Sequence, residues 1–193
     1  MTKYILIGGY SSKAKDGGKA FCEELVKGFT EPVKILICLF ARPKDTWQDK
    51  FKEDNDFFTR HLANKKLEIV LAKADNFIEQ VSWADAIYLR GGETERLAQA
   101  LKESTDWTQQ LTGKTLAGTS AGADIISKYY YDLDNPKIRQ GLGILPIKVI
   151  VHYKSDYNSP NIDWTKAFQQ LKDYKEDLPL VTLREGEFKV IQR

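Results

Sequence analysis

A serine between two glycines is the strongest candidate for chemistry in this chain. Residues 118–122 read "GTSAG" and fit the pattern Gly-x-Ser-x-Gly, with Ser120 at its centre. A nucleophile on a sharp strand-to-helix turn has a strained backbone, and small residues two positions away on either side let the chain pass without a clash. The alternative is a serine that caps a helix after a glycine turn. An apolar run before the motif and a helical pattern after it provide the context that a nucleophile requires.

A serine hydroxyl needs a base, which is normally a histidine, and the chain contains two. His61 lies in a charged amphipathic segment, which is typical of a solvated surface residue. His152 follows the apolar run "IKVIV", where a side chain can project from the end of a strand. We therefore predict that His152 is the base; the alternative is a histidine that pairs with a backbone carbonyl at a strand end.

The third member of such a site is a carboxylate that orients the imidazole. The candidates are Asp132, Asp134, Asp156 and Glu185. In α/β-hydrolases the order is serine, acid, histidine, and the histidine lies far downstream of the serine. Ser120 and His152 are too close in sequence for that arrangement, which favours an acid after the histidine. The turn "LREGE" then offers Glu185 and Glu187, and the residues alone do not choose between them.

A second glycine turn, "RGGET" at residues 90–94, ends an apolar run and opens a helical pattern. Glycine allows a close approach of the backbone, so an N–H group of this turn could join that of Ala121 in stabilising an oxyanion. The turn is too short for a phosphate-binding loop and lacks the dinucleotide-binding glycine spacing. The alternative is a simple turn with Thr94 near a helix start.

The elements that must position these residues alternate between short apolar runs and amphipathic segments. The runs "YILIGG", "VKILICLFA", "LEIVLAKA", "AIYLRGG" and "KTLAGTS" predict buried strands, with helices between them. This alternation predicts an α/β fold of three layers, in which helices cover both faces of a mostly parallel sheet. Sites in such folds lie beyond the carboxyl ends of the strands, so we expect the serine, histidine and acid to meet at one rim of a single sheet.

Composition limits the class of protein. The net charge is only +2, and no basic stripe or long apolar run favours a nucleic-acid or membrane partner. We expect one domain over residues 1–193, a cytoplasmic location, and Cys22 and Cys38 as reduced core residues outside any metal motif. The tyrosines at 129–131 are expected to form a half-buried helix end, with an exposed dimer contact as the alternative. A monomer and a homodimer are both compatible with the sequence.

The order of these motifs resembles the peptidase E (α-aspartyl dipeptidase) and cyanophycinase family of serine peptidases. The resemblance rests on "GGET", "GTSAGA", "GLGILPIKVIVH" and "LREGE", with "FARPKDTWQDKF" upstream, and spans nearly the whole chain. It implies a class I glutamine amidotransferase-like (flavodoxin-like) fold and a Ser-His-Glu triad of Ser120, His152 and Glu185. It further implies an oxyanion hole formed by the N–H groups of Gly92 and Ala121.

The resemblance also implies hydrolysis of short peptides without a metal or cofactor. Substrate contacts are expected from Gly91, Glu93, Thr94 and Lys154. Glu93 replaces the asparagine usual in the family, and the stretch after His152 contains lysines but no arginine, which argues against strict selection of an N-terminal aspartate. The chain also ends soon after "EFKVIQR", where many relatives continue. A non-catalytic binding module and an esterase-like serine hydrolase are the alternative functions.

Overall fold

The computed structural model describes residues 1–104, 106–155 and 162–193. Its helices are α1 (Lys19–Val26), α2 (Trp47–His61), α3 (Phe77–Trp83), α4 (Thr94–Glu103), α5 (Ala121–Ile126) and α6 (Trp164–Asp173). Its strands are β1 (Lys3–Ile7), β2 (Val33–Cys38), β3 (Leu67–Leu71), β4 (Ala86–Leu89), β5 (Thr115–Thr119), β6 (Tyr129–Asp132), β7 (Lys137–Gln140), β8 (Lys148–Ile150), β9 (Leu180–Thr182) and β10 (Phe188–Gln192).

The larger sheet has the strand order β10-β1-β5-β4-β2-β3. All neighbouring strands in it are parallel except β10, which pairs antiparallel with β1 at the edge. Because β1, β5, β4 and β2 run in the same direction, their carboxyl ends lie along one rim. This rim carries the two glycine turns that the sequence singled out.

The two faces of the larger sheet are covered by different helices. Ile5, Ile35 and Ala86 point to one face and pack with Phe21 of α1 and Phe58 of α2. Successive strand residues point to opposite faces, so Leu6, Leu36 and Ile87 pack on the other face with residues of α3, α4 and α5. Helices on both faces of a mostly parallel sheet confirm the predicted three-layer α/β class.

A second, smaller sheet has the order β7-β6-β8-β9, with β7 antiparallel to β6 and the other pairs parallel. One face contributes Tyr130 and Val149 to the core that also covers the larger sheet. The opposite face packs against Ala167 and Leu171 of α6. The expectation of a single sheet was therefore wrong. The strands of the second sheet contain three or four residues each, too few to show a clear hydrophobic period.

The tyrosines at 129–131 form β6, not the end of a helix, and each is less than 7% exposed. Aromatic residues favour strands, and here they bury against both neighbouring layers. The predicted burial of both cysteines is confirmed: neither forms a disulfide, and burial raises the pKa of Cys22 and Cys38 to about 12. Among the described residues, no helix is both long and apolar enough to span a bilayer.

Candidate active site

Ser120 lies on the turn between β5 and α5 in a conformation that few non-glycine residues adopt. Its φ is 52° and its ψ is −114°. Its N–H group donates to the carbonyl of Ile7 at 2.9 Å, which ties the turn to the end of β1. The side chain makes no capping hydrogen bond to α5, so the helix-cap interpretation does not hold. Strain of this kind persists only where surrounding contacts enforce it, and it often marks a functional site.

The glycines that flank Ser120 are required by close contacts. A Cβ atom at Gly118 would lie 2.4 Å from the carbonyl carbon of Gly122. A Cβ atom at Gly122 would in turn lie 2.3 Å from the carbonyl oxygen of Leu89, at the end of β4. The Gly-x-Ser-x-Gly spacing therefore follows from how tightly the turn folds against α5 and β4.

His152 reaches Ser120 from the smaller sheet. It follows β8, has a φ of 51°, and is 4% exposed. Its backbone N–H donates to the carbonyl of Gly8 at 2.9 Å, which fixes this turn beside the end of β1. Its imidazole Nε2 lies 2.9 Å from Oγ of Ser120. This distance allows a proton to pass between the hydroxyl and the imidazole.

Glu185 lies on the other side of the imidazole, in the turn between β9 and β10. Its Oε1 is 2.5 Å from Nδ1 of His152 and accepts a hydrogen bond from the Ser155 hydroxyl at 3.1 Å. Burial favours the neutral acid, but the hydrogen bond and charge of His152, the Ser155 hydroxyl and the charge of Lys13 together lower the pKa of Glu185. Glu187, the alternative acid, is exposed, and its carboxylate accepts from the N–H of Arg184.

Two sheets thus contribute to one site. Ser120 follows β5 of the larger sheet, whereas His152 and Glu185 follow β8 and β9 of the smaller one. The end of β1 and the two glycines after it accept hydrogen bonds from the turns of both sheets. The carbonyl of Ile7 accepts from Ser120, and the carbonyl of Gly9 accepts from the N–H of Gly186 at 2.9 Å. The site therefore lies at the junction of the sheets and not on a single rim.

Gly9 packs directly against the histidine–glutamate pair, which the sequence interpretation missed. A Cβ atom at Gly9 would lie 2.3 Å from Cε1 of His152 and 2.5 Å from Oε2 of Glu185. The available signal was the glycine pair at the end of the first apolar run. Any side chain at this position must displace the imidazole or the carboxylate.

For the hydrolysis of short peptides that the sequence resemblance implies, we expect Gly9→Ala to reduce kcat by about a hundredfold, because a displacement of about 1 Å at a reacting group can cost that much. Steady-state kinetics on a short peptide would measure the loss. Gly28→Ala is the matched control: a Cβ there meets nothing within 4 Å, although the φ of 94° makes the change mildly destabilising. Equal activity of the Gly9 and Gly28 variants would contradict this packing role.

A cavity of about 190 Å³ opens beside Ser120. Its wall includes His152 and the Gly91–Gly92 turn, together with Arg42, Asp54 and Arg90. Arg90 is held by the Lys50 carbonyl at 2.8 Å, by Glu53 at 2.7 Å and by Asp54 at 3.0 Å. Burial raises the pKa of Asp54 to about 6, although the charge of Arg90 opposes this effect. Tyr10 forms part of the opening, 47% exposed, with its ring 6.4 Å from that of His152.

The structure places the other predicted site residues in two groups. Gly91 and Gly92 line the cavity, and a Cβ atom at Gly91 would lie 3.0 Å from that of Ser120. Among the described residues, no backbone carbonyl accepts from the N–H groups of Gly92 or Ala121. The remaining three do not line the cavity: Glu93 pairs with Arg96, Thr94 faces Asp124 and Lys154 lies over the ring of Tyr153.

Comparison with known proteins identifies the family. Residues 40–192 match the model of peptidase family S51. The chain belongs to peptidase family S51. It is therefore a serine peptidase, a hydrolase that acts on peptide bonds, and the resemblance found in the sequence is confirmed. No curated protein matches the chain.

Two solved structures share the S51 chain's fold. One is a peptidase from an acI-B1 Actinobacterium, with a TM-score of 0.65, 22% identity, and coverage of 100% of this chain and 84% of that one. The other is a proposed peptidase E protein from Listeria monocytogenes EGD-e, with a TM-score of 0.64, 15% identity, and coverage of 99% and 97%. The fold is the class I glutamine amidotransferase-like fold, as the sequence predicted.

Proposed function

We propose that this S51 peptidase hydrolyses short peptides with a triad of Ser120, His152 and Glu185. One observation carries the proposal: a continuous relay in which Oγ of Ser120 lies 2.9 Å from one imidazole nitrogen and Oε1 of Glu185 lies 2.5 Å from the other. In this arrangement a neutral imidazole accepts the hydroxyl proton while the carboxylate fixes the tautomer. The burial of His152 supports the same roles, because it keeps solvent from competing for either bond.

The reaction proceeds through an acyl-enzyme. Ser120 attacks the peptide carbonyl as its proton passes to Nε2 of His152, and the tetrahedral intermediate collapses when that proton is transferred to the leaving amine. A water molecule then takes the place of the amine, gives a proton to His152 and attacks the acyl carbon. The bond between that carbon and Oγ of Ser120 breaks, Oγ takes the proton back from His152, and the acid product leaves. Glu185 stabilises the imidazolium formed in each half of the reaction. None of these steps needs a metal or an organic cofactor.

The oxyanion is stabilised by the N–H groups of Ala121 and Gly92. Support comes from the place of Ala121 directly after Ser120, from the place of Gly92 in the cavity wall, and from the lack of a backbone acceptor for either N–H group among the described residues. Helix α5 has only six residues, so the donors act as individual hydrogen-bonding groups more than through a helix dipole.

The cavity supports a small peptide substrate and an exopeptidase or dipeptidase activity. The cavity beside Ser120, of about 190 Å³, offers room for a side chain of a small peptide next to the nucleophile. Lys154 does not line the cavity, which supports a specificity broader than an N-terminal aspartate. A single-domain monomer or homodimer and a cytoplasmic location remain part of the proposal, and free, buried Cys22 and Cys38 suit that reducing compartment.

Glu185→Gln is expected to lower kcat by about a thousandfold or more, because an amide at this position no longer holds the imidazole in the tautomer that accepts the serine proton. Glu187→Gln, two residues away on the same turn, removes an exposed carboxylate and should leave kcat unchanged. Steady-state kinetics of the two variants would test the choice between these acids, which the residues alone left open and the resemblance decided for Glu185. A larger loss of kcat in Glu187→Gln than in Glu185→Gln would show that Glu185 is not the acid that orients His152.

A further inference from the structure

Arg42 is held in the cavity wall by contacts on both its backbone and its side chain. It follows β2, and its carbonyl accepts a hydrogen bond from Nε1 of Trp47 at 2.9 Å. Its side-chain Nε donates to the carbonyl of Gly91 at 2.6 Å. Gly91 is itself in contact with Ser120, so a single glycine separates the guanidinium from the nucleophile.

The outer nitrogens of Arg42 remain available for a ligand. Among the described residues, neither terminal nitrogen has a hydrogen-bond or ion-pair partner. Arg90, the other guanidinium in the cavity, is instead occupied by Glu53, Asp54 and the Lys50 carbonyl. Arg90 therefore forms the ion pairs with both nearby carboxylates, whereas Arg42 lines the cavity and interacts with Asp54 only through its charge, without an ion pair.

We propose that Arg42 binds a carboxylate of the peptide substrate, an inference that rests on the proposed function of this site. A guanidinium held through Nε presents its terminal N–H groups in a planar fork, which matches the two oxygens of a carboxylate. A short peptide can supply this group from its free C-terminus or from an acidic side chain. Arg42 is then a specificity-determining residue, which selects the substrate without taking part in proton transfer.

Binding can be measured without turnover in a Ser120→Ala background. Three ligands isolate the charge: Ala-Ala carries a terminal carboxylate, Asp-Ala-amide carries a side-chain carboxylate, and Ala-Ala-amide carries neither. By calorimetry we expect at least one carboxylate ligand to bind about tenfold or more tightly than Ala-Ala-amide, as for a hydrogen bond to a charged group. The ligand that shows the preference identifies the source of the carboxylate.

Adding Arg42→Gln should remove this preference, and Arg42→Lys should retain part of it, because a lysine keeps the charge but loses the planar fork. Arg60→Gln, which removes an exposed arginine of α2, should leave all three dissociation constants unchanged. Equal binding of the three ligands to the parent would overturn the proposal, as would a carboxylate preference that survives Arg42→Gln.

Failure of this inference and failure of the proposed triad give different results. Reaction of the unmodified enzyme with a neutral fluorophosphonate depends on the nucleophile and needs no carboxylate. If Ser120 reacts but the three ligands bind equally, the proposed triad is supported and the proposed role of Arg42 is wrong. If the carboxylate preference depends on Arg42 but Ser120 does not react, the proposed role of Arg42 is supported and the proposed triad is wrong.

Discussion

Ser120→Ala should abolish measurable peptide hydrolysis and leave the fold intact. Removal of the nucleophile in a site of this type lowers kcat by about 10⁶-fold. The residual catalysis comes from substrate binding and the oxyanion donors. Alanine fits the turn because Ser120 makes no capping bond and its hydroxyl is directed to His152. Hydrolysis assays and circular dichroism on the same preparation would measure both effects.

Ser127→Ala provides the opposite control. The Ser127 hydroxyl is buried and lies within hydrogen-bond distance of two backbone carbonyls, that of Asp124 at 2.8 Å and that of Tyr129 at 3.0 Å, so its single proton is shared between them. Its loss should destabilise the protein by about 1–3 kcal/mol, since buried backbone acceptors lose their donor, but should not reduce kcat at temperatures where the protein is folded. Turnover by Ser120→Ala equal to that of Ser127→Ala would refute the nucleophile assignment.

His152→Gln is expected to lower kcat by a factor comparable to that of the serine variant, about 10⁶-fold, because serine and base act as one unit. Glutamine keeps a polar group in a site that is 4% exposed, so the fold should persist. The chain has one other histidine, His61, whose ring contacts Phe57 at 4.8 Å. His61→Gln should therefore retain kcat.

This pair of variants also tests which histidine is the base. Substantial activity in His152→Gln, or a comparable loss of activity in His61→Gln, would mean that the imidazole beside Ser120 is not the base.

Because the site lies between two sheets, the turns that carry its residues are held together by hydrogen bonds to the end of β1. The end of this strand accepts the Ser120 N–H through Ile7, the His152 N–H through Gly8 and the Gly186 N–H through Gly9. Each turn that carries a proposed triad residue is thus anchored to consecutive carbonyls of one segment. Gly9 fits here because it leaves room for the imidazole and the carboxylate.

The sequence was most informative where chemistry requires a local pattern. Ser120 could be predicted because a strained turn demands small neighbours, and the continuous apolar runs indicated the larger parallel sheet. His152 was predictable because only two histidines are present and one follows an apolar run. These signals depend on neighbouring residues and need no knowledge of long-range packing.

Features created by distant parts of the chain could not be predicted in the same way. The choice of Glu185 over Glu187 depends on which side of one turn faces His152, and the two residues are of the same type. The second sheet escaped notice because its strands are short. Arg42 and Gly9 reach the site only because β1 and β2 end at the same rim, so their sequence neighbours do not reveal it.

The most direct test of the proposed triad is covalent labelling of the unmodified enzyme with a fluorophosphonate, followed by peptide mapping. A serine activated by His152 and Glu185 should form a stoichiometric adduct, and the modified residue should be Ser120. The reaction should slow severely in His152→Gln and Glu185→Gln but not in Glu187→Gln. No adduct, an adduct on another serine, or labelling that is independent of His152 would contradict the account.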